Sequence, residues 1–163
     1  MISIPSIRSF VRDERAVSVS VGFILTFAIT FITMIILVSS FYSMMDSSEH
    51  TVMRNEFEIH GNEISLQISN IDTAISITNS MGGRVDDMSY QLKLPDTIAN
   101  KQYSVEFSDN PKEIIFEADG REETRVKVSY TTQELSLKPT KLYSGSNKFL
   151  MIYNSTSKMI EIH

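Results

Sequence analysis

The chain of 163 residues has no cysteine, no tryptophan, four prolines and six glycines. Without cysteine there is no disulfide scaffold, no thiolate metal site and no cysteine nucleophile; the compartment stays open, because a disulfide-free domain folds on either side of a membrane. A basic cluster interleaved with aromatics is also missing. From Asp46 onward twelve Lys and Arg stand against eighteen Asp and Glu. A surface of that sign repels phosphate backbones, so nucleic acid is not an expected partner. The sequence holds no Gly-rich phosphate loop, no nucleophile elbow and no His pair at metal-ligand spacing. The expectation is therefore a protein that is not an enzyme, with no cofactor, no metal and no small-molecule substrate.

One absence is local and decides the class. Ala16 to Met45 runs thirty residues without a charged side chain, after a leader with Arg8, Arg12, Asp13, Glu14 and Arg15. A bilayer core about 30 Å thick needs roughly twenty helical residues. The centre, Phe23 to Val38, is nearly all Phe, Ile, Leu, Met and Val with interspersed Thr. A small soluble domain cannot bury every face of such a helix, so the reading is a transmembrane span. The alternative is a cleaved secretory signal ending at Val38-Ser39-Ser40. Against it, the apolar region of about 22 residues exceeds the usual length of about 7–15. Arg8, Arg12 and Arg15 before the span, against Asp46 and Glu49 with Arg54 after it, put the N-terminus in the cytoplasm and the body of the chain outside.

Within the span Ser18, Gly22, Thr26 and Thr30 recur every four residues, and Thr33 continues the same helix face. Small and hydroxylated residues let backbones approach in lipid, which points to self-association. The other reading is that these hydroxyls bond back to their own helix.

The stretch Asp13-Glu14-Arg15-Ala16-Val17-Ser18-Val19-Ser20-Val21-Gly22-Phe23-Ile24-Leu25 resembles the N-terminus of archaeal type IV pilins and pilin-like proteins. The later Asn55 to Asn62 is similar to the helix that follows in some of them. The resemblance implies that a membrane-embedded prepilin peptidase cuts after Ala16, with Arg15 before the cut and Val17 as the new N-terminus. It also implies a helix that stays attached and associates with membrane lipid, further copies or other pilin-like subunits. Val19 stands where many members carry Pro, and Val21 where bacterial pilins carry a Glu.

After the span, Met53, Phe57, Ile64, Ile68, Ile71 and Ile75 follow steps of three and four with His60 in the gap, which describes one helix face. With no proline between Ala16 and Pro95, one helix from about Val17 to near Ile75 is expected; a break near Asp46-Ser47-Ser48, where Asp could cap a second start, is the alternative. Gly61 in the helix interior costs about 1 kcal/mol and calls for close packing or a mild bend. Asn79 to Asp87 reads as a loop. The period then becomes two, with strand candidates at Tyr90–Leu94, Tyr103–Phe107, Glu113–Ala118, Arg125–Tyr130, Lys148–Tyr153 and Lys158–Ile162, joined by turns at Asp109-Asn110-Pro111, Asp119-Gly120 and Asn154 to Ser157. The predicted fold is α+β: a long helix, half of it transmembrane, packed through its amphipathic half on a small antiparallel sheet, as in type IV pilins. Its segments are a leader (1–16), a span (17–45), an extracytoplasmic amphipathic helix (46–78) and a β domain (79–163).

Glu56, His60 and Glu63 share a helix face and are the nearest approach to a metal site; a packed imidazole beside a carboxylate is the plainer reading. His50 and His163 have no such company. Asn154-Ser155-Thr156 matches the N-glycosylation acceptor pattern in a predicted turn. Two functions remain: a pilin-like structural subunit of a cell-surface filament or pseudopilus-type complex, or a single-span anchor presenting a small extracytoplasmic binding or adaptor domain.

Overall fold

A computed structural model describes residues 8–119, 124–145 and 149–163; the side chains of 8–18 and of Asp87 lie outside the description. The chain divides into two compact units, Met1–Ser47 and Ser48–His163. Helix α1, Arg8–Ser80, is unbroken through Asp46-Ser47-Ser48. Its start precedes the expected Val17, because nothing between Pro5 and Ala16 opposes helix formation. It stops at Ser80, and two residues on Gly82 stands at φ 76°, a conformation that costs glycine little.

Among the described residues of the second unit eight strands follow: β1 (Asp87–Leu92), β2 (Tyr103–Asp109), β3 (Lys112–Ala118), β4 (Arg125–Ser129), β5 (Ser136–Leu137), β6 (Thr140–Tyr143), β7 (Phe149–Asn154) and β8 (Met159–Ile162). The expected single antiparallel sheet is in fact two four-stranded sheets, ordered β1-β7-β8-β5 and β4-β3-β2-β6. All pairs are antiparallel except β5 with β8. Lys138-Pro139 carries the chain from β5 in one sheet to β6 in the other. Proline suits such a crossing, since it cannot donate to a ladder. The strand candidates at Tyr103, Glu113, Arg125, Lys158 and the described part of Lys148–Tyr153 are all strands, within a residue or two at their ends. The first candidate begins three residues earlier than expected, at Asp87. Gly120, in the expected Asp119-Gly120 turn, lies outside the described residues, as does Lys148.

The amphipathic stripe is the centre of the core. Met53, Phe57, Ile64, Ile68, Ile71 and Ile75 are all buried, in one cluster with residues of both sheets. Phe57 lies 5.5 Å from the Tyr103 ring of β2 and 5.2 Å from the Phe116 ring of β3, centroid to centroid. Val105 pairs with Phe116 and Phe107 with Ile114 across β2 and β3, so the apolar face they present is the one that covers the helix stripe.

Gly61 resolves as a close approach. A Cβ there would sit 2.6 Å from Val128 Cγ2 and 3.1 Å from Val128 Cβ on β4. Gly61→Ala gains helix propensity of about 1 kcal/mol but forces the helix off β4, and overpacking of this kind costs about 1–3 kcal/mol. The expected result is a net loss in chemical unfolding that Val128→Ala relieves when the two changes are combined. A stabilised Gly61→Ala single variant would contradict the contact.

Two tyrosines tie loops to this core. Tyr103 donates its hydroxyl to the Pro95 carbonyl; Tyr130 donates to the Ser108 carbonyl at 2.8 Å and lies 3.3 Å from Asp109 Oδ1. Burial, helped by the Asp96 carboxylate, pushes the Tyr103 phenol up to about 12. Burial and the Asp109 carboxylate push Tyr130 up as well. A raised phenol pKa favours the neutral form in the folded state, so this stability is complete below pH about 10 and is lost as pH rises through about 12. In an alkaline titration, two of the six tyrosines are expected to ionise only as the β-sheet circular dichroism collapses. Six ionising together near pH 10 with the fold intact would contradict the assignment.

Candidate functional site

The expected cleavage residues Arg15, Ala16 and Val17 fall inside α1, and their side chains, with that of Ser18, lie outside the described residues. The same holds for Arg8 and Arg12. From Val19 the side chains are described and uncovered: the large apolar residues of Val19 to Met45 are between 44% and 74% exposed. This helix is long and apolar enough to cross a membrane. Exposed apolar patches far smaller than this mark interaction sites.

The small-residue face has a defined chemistry. Thr26 donates to the Gly22 carbonyl at 2.9 Å, Thr30 to the Thr26 carbonyl at 2.8 Å and Thr33 to the Ile29 carbonyl at 2.8 Å. The hydroxyl protons are therefore satisfied within the helix, as back-bonding predicts. Nothing lies within 4 Å of a Cβ placed on Gly22. The face thus offers a notch with its donors already used, which suits close backbone packing rather than hydroxyl donation across an interface.

The other polar groups divide sharply. His60 Nε2 lies 3.7 Å from Glu56 and its Nδ1 3.8 Å from Glu63, so the two carboxylates flank opposite ring nitrogens and do not converge on one point. Among the described residues no group of three metal-ligating side chains is gathered. His50 Nδ1 is 2.7 Å from Thr124 Oγ1, and His163 Nε2 is 3.4 Å from Glu161. Asn154 is exposed at the start of the β7–β8 turn, where its Oδ1 accepts from Thr156 N at 3.0 Å and Ser157 N at 3.4 Å. This leaves the amide nitrogen, the atom a glycan would take, outside the turn's own hydrogen bonds.

Sequence patterning does not single out a shallow hollow of about 210 Å³ at one end of β2, β3 and β6, lined by Ser104, Glu117, Asp119, Lys141 and Tyr143 among others. Its signal is cross-strand and so invisible in order along the chain. Lys141 Nζ bonds Glu117 at 3.2 Å and lies 5.9 Å from the Tyr143 ring centroid. The Glu117 hydrogen bond raises the Lys141 pKa, which holds it as a cation.

A family model covers almost all of this architecture, from the first turns of α1 to β8. The chain belongs to the DUF7266 family. The match spans residues 12–162, and the family is one of unknown function. Membership therefore ties helix and β domain together as one inherited unit without supplying a chemistry. No curated protein and no solved structure matches the chain.

Proposed function

We propose that this DUF7266 member is a pilin-like structural subunit of a cell-surface filament or pseudopilus-type membrane complex, of the archaeal kind. In this reading prepilin peptidase removes the leader after Ala16, and Val17 to Met45 anchors the chain in the cytoplasmic membrane with the β domain outside. The observation that carries the reading is the uncovered, uncharged stretch from Val19 to Met45 in a helix that continues without a break into the core stripe. A membrane, or a bundle of like helices, supplies the apolar surroundings that such a segment lacks by itself. The Gly22 notch, where nothing lies within 4 Å of an added Cβ, supports packing against further subunits.

Processing is tested by Ala16→Asp, which puts a charge at the boundary while leaving the span intact. The full-length chain is expected to accumulate in membranes and to be missing from any shed filament. Unchanged mature mass and unchanged filament incorporation would remove the mechanism and favour the anchored binding domain.

A further inference from the structure

The face of α1 opposite the core stripe carries a pattern of its own. Val52, Ile59, Leu66 and Thr73 recur every seven residues, and Asn55 and Asn62 fall three residues after the first two; the next such residue, Ser69, donates its hydroxyl to the Thr131 carbonyl at 3.3 Å instead. Val52 is 50% exposed, Ile59 58% and Leu66 65%; Asn55, Asn62 and Thr73 are exposed too. The buried residues Met53, Phe57, Ile64, Ile68 and Ile71 occupy the remaining heptad positions, so the seven-residue line is not needed for the core. Apolar residues at this period form the seam of a two-helix contact, and the Asn residues would fix its register.

The charge beside the seam says what kind of helix fits. Between Ser48 and Ser80, α1 carries Glu49, Glu56, Glu58, Glu63 and Asp72 against Arg54 alone. Arg54 lies 3.5 Å from Glu58. Glu56, Glu58 and Glu63 sit immediately beside the line, in the flanking positions that choose a coiled-coil partner. A second copy in parallel register would set Glu58 against Glu63, and an antiparallel copy would set Glu56 against Glu63. An anionic lipid surface would meet the same carboxylates.

We infer that this outer face of α1 docks an amphipathic helix of a different chain, with an apolar seam and Lys or Arg on its flanks. The inference does not depend on cleavage after Ala16. The uncharged Val19–Met45 stretch then serves like subunits or lipid, and the acidic seam beyond Ser48 serves an unlike one.

The experiment uses the full chain in nanodiscs of zwitterionic lipid and two labelled synthetic helices with the same Ile/Leu seam, one flanked by Lys and one by Glu. The Lys-flanked helix is expected to bind at least about tenfold more tightly, with an affinity that falls as salt rises. Ile59→Asp should abolish the binding; because Ile59 is 58% exposed, its unfolding curve should match that of the parent. Glu58→Lys with Glu63→Lys should reverse the preference. Equal binding of both helices, binding of neither, or a preference that survives the charge reversal would overturn the inference. So would self-association of the chain that Ile59→Asp abolishes, which would give the seam to a second copy. Flotation of the chain with anionic vesicles that Leu66→Asp abolishes would give it to lipid, and would overturn the inference as well.

Discussion

Phe57→Ala is expected to lower stability by about 3–5 kcal/mol, the range for deleting a buried ring whose surroundings cannot collapse into the space. The ring is fully buried and lies against Tyr103 and Phe116, which also face each other at 6.1 Å. Three mutually contacting rings from a helix and two strands hold a gap open when one is removed, because each of the others is pinned by its own backbone. A loss of this size approaches the whole stability of an ordinary domain, about 5–15 kcal/mol. Chemical unfolding of the full chain, followed by near-ultraviolet circular dichroism of the tyrosines, measures it. Ile59→Ala on the exposed side of the same helix serves as the reference and is expected to change little. If the two substitutions cost the same, the helix does not pack on β2 and β3 as described.

Asp72→Ala is the second large expectation, at about 2–4 kcal/mol. Asp72 is 5% exposed, a costly place for a carboxylate that lacks partners. Here it has them. Its Oδ2 accepts from Gln133 N at 2.7 Å, and its Oδ1 accepts from Glu134 N and Leu135 N, each at 3.1 Å. Hydrogen bonds to an ionised acceptor are about twice as strong as neutral ones. Removing the acceptor leaves three backbone donors unsatisfied at a point that is part-buried, at about 1–3 kcal/mol for each fully buried group. The consequence reaches further than the bonds. Residues 133–135 connect β4 of one sheet to β5 of the other, so this carboxylate fixes where the chain changes sheets. Hydrogen exchange at these three amides is expected to accelerate in Asp72→Ala well beyond that of the β2–β3 ladder. Unchanged protection there would show that the loop holds itself without the carboxylate.

Much of this architecture is legible in the sequence, and the reasons are local. The core stripe from Met53 to Ile75 follows from steps of three and four, since a helix that must bury one face has no other spacing available. The long strands follow from alternation, and their turns from Asn, Pro and Gly. The short strands β5 and β6 do not, because two and four residues around Pro139 carry too little period to stand out. Nor does the division into two sheets. β1 pairs with β7 across some sixty residues of chain, and such pairing is set by the packed whole, not by any window of sequence. Asp72 hides for a related reason: beside Ile71 it reads as an ordinary charged neighbour of an apolar position, and its partners are backbone groups that no residue type announces. The Gly22, Thr26, Thr30 and Thr33 face is legible as spacing, and the structure adds which atoms its hydroxyls use. The outer line of Val52, Ile59 and Leu66 is masked in the sequence by the stronger core stripe that runs between its members.

The fate of the peptide bond after Ala16 separates a filament subunit from an anchored domain. Intact mass and N-terminal sequencing of the protein purified from its native membranes test that most directly. A mature chain that begins at Val17 is the predicted result and makes assembly with other subunits the next quantity to measure. A chain that still begins at Met1 would contradict it and leave a membrane-anchored binding domain, and one that begins after Ser40 would contradict it in favour of a secreted β domain.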